Sequence, residues 1–142
     1  MAKSMHRAAW EWLKKCAEVS ELFFNFGEAA GAGTIMIPND RLEVEYASGA
    51  QRRAYDVELA IFLPLTTDAG DDGNIAMLER IDAIADWIRK SSARDEIPEF
   101  PEGRDIDEIE VNDSVAGYAV AQNGVIAKYS LTFTIYYIKK EW

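Results

Sequence analysis

One cysteine, one histidine and four prolines in 142 residues leave little material for several common ways in which proteins work. Cys16 alone makes neither an intrachain disulfide nor a structural metal site, a usage compatible with a reducing cytoplasm. His6 is the only imidazole and lies near the start of the sequence, so neither a Ser-His-Asp nor a Cys-His arrangement is proposed. No apolar run approaches the ~20 residues of a membrane helix. The basic residues at the start lead into Trp10, Glu11 and Trp12 with no secretory hydrophobic segment behind them, so the expectation is a soluble, unexported chain without a membrane partner. Bases are also scarce: 15 Lys and Arg stand against 25 Asp and Glu, for a formal net charge of −10. Binding a phosphate backbone requires a basic face. The nearest group, Lys3, Arg7, Lys14 and Lys15, reads as the solvated flank of a helix, and sequence-specific nucleic-acid binding is not expected. Gly27, Gly31 and Gly33 do not form a dinucleotide fingerprint, and no Gly-Lys-Ser/Thr is present, so no cofactor is expected.

What is present is a hydrophobic pattern that changes period along the chain. Ala9, Trp12, Leu13, Cys16, Val19 and Phe23 recur at three and four, which predicts a helix over residues 5–24. A short strand is predicted at 34–37. Leu42, Val44 and Tyr46 then alternate with Glu43 and Glu45. Beyond the turn at 47–50, Tyr55, Val57, Leu59, Ile61 and Leu63 share one face, which together makes a β-hairpin. The acids and glycines of 66–74 open a second helix, with Asp71, Asp72 or Asn74 as caps. Its stripe is Leu78, Ile81, Ala85 and Ile88, widened by Ile84 and Trp87, and it runs to about Ser91. Two prolines and a glycine make 97–103 an extended crossing. Strands are predicted around Ile106 to Val111 and on either side of Gln122, Asn123 and Gly124, since Asn-Gly between alternating runs is a strong hairpin signal. The order predicts one α+β domain over residues 1–142: a mostly antiparallel sheet covered by two helices, a two-layer sandwich.

Two acidic clusters are candidates for chemistry. Asp68, Asp71 and Asp72 lack the ligand spacing and the terminal Glu of an EF-hand, and read better as the entry of a capped helix. Between residues 93 and 113, Asp95, Glu96, Glu99, Glu102, Asp105, Asp107, Glu108, Glu110 and Asp113 are opposed by Arg94 and Arg104 alone. This segment reads as a solvated face, or as a surface that repels something anionic within an assembly.

Particular stretches carry a resemblance. They are the first helix with Trp12, Leu13 and Cys16, and the hairpin strand with Gln51, Arg52, Arg53 and Tyr55. With them go the helix ending in Asp86, Trp87 and Ile88, the loop from Ile97 through Pro101 to Gly103, and the aromatic closing strand from Ala127 to Tyr137. In these the chain resembles the minor capsid proteins of tailed bacteriophages, relatives of tail-terminator and head–tail joining proteins. Ala17 stands where such proteins often carry proline. The resemblance implies a tail-terminator-like subunit without enzymatic activity or metal. It would form a ring, with a hexamer favoured, at the head-proximal end of the tail. Its implied partners are copies of itself, the tail tube protein and head-completion or neck proteins, and DNA would pass through the lumen without specific binding. The implied location is the virion tail or neck, after assembly in the bacterial host cytoplasm.

On that reading Glu43, Glu45 and the acids of 93–113 belong to a lumen or assembly surface. Residues 27–33 and 64–74 are contact segments, and Tyr137 and Trp142 are docking aromatics. A small cytoplasmic ligand-binding or regulatory α+β module is the alternative, and a metal enzyme built on Asp68 to Asp72 is a third reading.

Overall fold

The spine of the fold is a pair of long antiparallel strands. In a computed structural model that describes residues 4–17, 19, 22–24, 33–36, 38–64, 70–121 and 124–140, the elements run as follows. They are α1 (Met5–Leu13), β1 (Leu22–Phe24), β2 (Gly33–Ile35), β3 (Asn39–Glu45), β4 (Gln51–Pro64), α2 (Gly70–Ala93), β5 (Arg104–Ala121) and β6 (Gly124–Lys139). β4 pairs with β6 along its whole length, and β5 pairs with the other edge of β6. β2 and β3 lie end to end along the free edge of β4, and β1 joins β2 in parallel. The result is the expected two-layer α+β sandwich with a mostly antiparallel sheet. β4 and β5 run parallel to each other through α2, and the last strand inserts between them.

Alternation along β4 and β6 decides which face is covered. Tyr55, Val57, Leu59 and Ile61 share a face with Tyr129, Leu131, Phe133, Ile135 and Tyr137, and all are buried. Ala9, Trp12 and Leu13 of α1 pack on that face with Ile81, Ile84, Ala85 and Ile88 of α2, in one hydrophobic cluster. Trp12 ties the layers together. Its ring lies 5.1 Å from Trp87 and 6.0 Å from Phe133, and its indole N–H donates to the Glu96 carbonyl at 2.8 Å. A buried indole needs such a partner.

The structure differs from the sequence reading in several places. α1 ends at Leu13, and Lys15 and Cys16 donate three residues back to Trp12 and Leu13, tightening the chain into a turn. Cys16 and Val19 remain buried, so the apolar stripe continues as packing after the helix has stopped. Leu22 and Phe23 enter a strand because a partner strand at Gly33–Ile35 satisfies their backbone. The two runs after residue 104 are one strand, carried past two register shifts, at Asp107 and Asn112. Bulges of this kind twist an edge strand and discourage pairing with a stranger. α2 begins at Gly70, so Asp71 and Asp72 sit in its first turn rather than at the cap, where negative charge still favours the helix dipole. Leu78 of the predicted stripe is exposed. Residues 25–32, 65–69 (with Asp68), 122–123 and 141–142 (with Trp142) lie outside the described residues, as do several single positions.

The end of α2 explains one acidic residue. Glu96 N–H donates to the Ser91 carbonyl at 2.8 Å, and Asp95 N–H donates to that of Ser92 at 3.1 Å. This is a Schellman close, and it places Asp95 at φ +60°. Only glycine takes that conformation without steric cost. Asp95→Gly is therefore expected to stabilise the fold by roughly 0.5–1 kcal/mol and Asp95→Val to destabilise it. Urea denaturation of both variants checks this, and a lower midpoint for the glycine variant would contradict the assignment.

Candidate assembly surface

β3 forms a hairpin arm with the first half of β4, and every residue of β3 is exposed. The predicted alternation of Leu42, Val44 and Tyr46 against Glu43 and Glu45 does not hold across it. A register shift at Glu43 sets Leu42 opposite Arg53 but Val44 opposite Arg52. Adjacent residues of β4 point to opposite faces. Leu42 therefore lies on the helix-side face and Val44 on the other. Leu42, Val44 and Tyr46 are 48%, 45% and 43% exposed. The arm presents apolar side chains on both faces and buries none of them.

A polar lock fixes its root. Tyr137, expected as a docking aromatic, is 1% exposed and belongs to the core, so that role is corrected. The closing strand puts it on the covered face, and its hydroxyl donates to Asp40 Oδ1 at 2.7 Å. Arg53 Nε reaches the same oxygen at 3.3 Å. Phe100, from the proline-bracketed loop, stands edge-on to both Tyr55 and Tyr137 at 5.9 and 5.4 Å. The Tyr55 hydroxyl is 2.7 Å from His6 Nδ1, so this histidine is anchored on α1. Burial, reinforced by the Asp40 carboxylate, pushes Tyr137 up to about 12, and burial also pushes Tyr55 upward. Both phenols stay protonated at neutral pH. Tyr137 acts as a donor to Asp40, and Tyr55 holds a hydrogen bond with His6.

On the sheet face that points away from both helices, polar side chains link the strands crosswise. Arg41 Nε donates to Asp56 Oδ2 at 2.7 Å, Thr134 Oγ1 donates to Asp56 Oδ1 at 2.7 Å, and Asn112 Nδ2 donates to Thr134 Oγ1 at 2.8 Å. One rung thus spans β3, β4, β6 and β5. Burial of the Asp56 carboxyl works against its charge. The hydrogen bonds from Arg41 and Thr134 outweigh that and hold it below the usual carboxylate range. Arg52 makes a second cross-link. It lies 4.3 Å over the Tyr136 ring and reaches Asp107 at 3.1 Å and Glu108 at 3.4 Å on β5. The three strand registers show why sequence reading missed these contacts: the partners are 15 to 84 positions apart and meet only through strand pairing.

Glu43, Glu45 and the acids of 95–110 are all exposed, but they do not form one surface. Asp95 and Glu96 close α2, and Glu99 and Glu102 lie in the loop that follows. Asp105, Glu108 and Glu110 pair with Ile138, Tyr136 and Thr134 on the face away from the helices. Glu43 pairs with Arg41 at the bulge, whereas Glu45 sits opposite Gln51 near the arm's tip. Asp105 is partnered by Lys140 at 3.0 Å. Of the contact segments 27–33 and 64–74, residues 27–32 and 65–69 lie outside the described residues, and 70–74 form the first turns of α2. Among the described residues, no three His, Cys, Asp or Glu side chains meet in a metal-binding group, and no helix is long and apolar enough to cross a membrane. Compared with models of known protein families and with curated proteins, the chain matches none.

These couplings set the pH response. A phenol whose folded value lies above its unfolded value of ~10 stabilises the fold below pH ~10 and loses that contribution as pH rises through 12. Tyr137→Phe is expected to cost about 1–2 kcal/mol at neutral pH and to flatten the alkaline limb of the stability curve. Asp56, held low, stabilises above ~4 and loses its contribution as pH falls further. Asp56→Asn should accordingly reduce the acid sensitivity. Denaturant midpoints between pH 2 and 12 read both effects.

Proposed function

We propose that this protein is a structural subunit of a tailed phage or prophage. It acts by assembling into a ring at the head-proximal end of the tail, as a tail terminator or head–tail joining protein. The observation that carries the reading is the arm: a hairpin with three large apolar side chains in solvent and its root locked into the core. The arm carries apolar side chains on both of its faces, and a neighbouring subunit that clasps it supplies the burial that the isolated chain does not. The locked root keeps the arm in one direction before contact, which lowers the entropic cost of association. A closed ring joins two different patches of each subunit, and an arm reaching a distinct receiving surface is a contact of that kind.

The resemblance in the first helix, the 97–103 loop and the closing strand supplies the ring and its place in the virion. The acids on β5 fit a lumen through which DNA passes, because like charge disfavours adhesion of phosphates. In this reading the protein has no catalytic role, and its partners are its own copies, the tail tube and the neck proteins.

Light scattering over a wide concentration range, with and without tail tubes, tests the assembly. The expected result is a discrete cyclic oligomer, with a hexamer favoured. Leu42→Glu with Val44→Glu should abolish it while the monomer keeps its circular dichroism and unfolding midpoint. A chain that stays monomeric at every concentration and ignores tubes would overturn the proposal. Reversal of Asp105, Glu108 and Glu110 to lysine should slow DNA passage in assembled particles without unfolding the subunit, and unchanged passage would remove the lumen assignment.

A further inference from the structure

At the end of the sheet where β5 begins and β6 finishes, Glu102, Gly103, Arg104, Lys139 and Lys140 line a cleft of about 430 Å3. That volume falls within the ~300–1,000 Å3 of small-molecule sites. The main chain around it is held in place. Arg104 N–H donates to the Pro101 carbonyl at 3.1 Å and Lys140 N–H to the Gly103 carbonyl at 2.9 Å. Gly103 takes φ +87°, which lets the chain turn sharply into β5.

The charge here runs against that of the molecule. In a chain of net charge −10, three bases gather at one cleft against one acid, Glu102. Lys140 is engaged by Asp105. Arg104 and Lys139 are direct cross-strand partners, and a like-charged pair in that position destabilises a sheet. Arg104 carries a second cost. Its Nε is buried and has no hydrogen-bond partner among the described residues, whereas buried polar atoms in folded proteins are nearly always satisfied.

One species removes the repulsion. An oxyanion between the guanidinium and the ammonium accepts charge-assisted bonds from the two side chains and cancels their like charge. We propose that this cleft binds a small molecule carrying a phosphate or comparable multivalent oxyanion, held by Arg104 and Lys139. The cleft has more room than a bare anion fills. Glu102 in its wall accepts hydrogen bonds, which matches a ligand that offers a hydroxyl or amino donor beside its oxyanion. The site does not depend on the assembly reading.

Titration calorimetry and thermal unfolding of the full chain test it, with pyrophosphate, citrate and sodium chloride compared at equal ionic strength. The expected result is saturable one-to-one binding of pyrophosphate or citrate, with a rise in Tm that chloride does not give. The tighter of the two identifies the source of the oxyanion as phosphate or carboxylate. Arg104→Gln and Lys139→Gln should each weaken binding about tenfold. Lys139→Gln should also raise the Tm of the ligand-free chain, since it relieves the repulsion, while it loses the ligand-induced rise. A lysine with a merely structural role would not produce that exchange. Pyrophosphate and citrate no more effective than chloride, or undiminished affinity in Lys139→Gln, would overturn the proposal.

Discussion

Everything else in this molecule rests on the pairing of β4 with β6. Fourteen successive residues, Gln51–Pro64, find partners on the closing strand without a register shift. This continuity matters because strand side chains alternate strictly, so one uninterrupted register fixes which face of both strands is covered. Had the pair slipped by one residue, Tyr55, Leu59, Phe133 and Ile135 would have faced away from the helices. The neighbours are less regular: β3 and β5 both carry bulges, and both lie outside the central pair. Irregularity is confined to strands that do not set the core.

At the sheet end where the hairpin arm leaves, the nine-residue α1 supplies a polar contact, His6 Nδ1 at 2.7 Å from the Tyr55 hydroxyl. Polar chemistry replaces hydrophobic cover there: Tyr137 and Arg53 converge on Asp40, and Phe100 is slotted between the two tyrosines. A hydrogen bond to a carboxylate is stronger than one between neutral groups, and it is directional where packing is not. The arm is thus aimed without being buried. Its three exposed apolar residues remain available because the lock does not need them.

The layer architecture and the members of the core were legible because they follow from periodicity alone. Val57, Leu59 and Ile61 on β4 and Ile81, Ile84 and Ile88 on α2 lie where their spacing puts them. The end of α1 was not legible, since Cys16 and Val19 continue the helical stripe while the chain has already turned. Burial, not helicity, is what that spacing encodes there. Nor was the arm's division of Leu42 from Val44 visible: a bulge leaves no mark in a pattern of alternating residues. Tyr137 looked like a surface aromatic because it is near the C-terminus. In fact it is the last covered residue of a sixteen-residue strand. The cross-strand rung through Arg41, Asp56, Thr134 and Asn112 depends on three registers at once, which no local reading supplies.

The distribution of charge bears on how subunits would meet. Arg41, Arg52, Lys128 and Lys140 are engaged with Glu43, Asp56, Asp107, Glu108, Glu58 and Asp105 on the sheet layer, so cations there are largely spent within the subunit. Exposed bases remain at the last turns of the helices and just past them, in Lys14, Lys15, Lys90 and Arg94. Glu110 stands on the sheet face away from the helices. A ring contact that set the helix ends of one copy against the sheet edge of the next would bring such opposite charges together. Such a contact is heterologous, as ring closure requires. It would draw its specificity from charge and its affinity from the arm, a division under which assembly weakens with salt while the monomer's core, built on β4 and β6, does not.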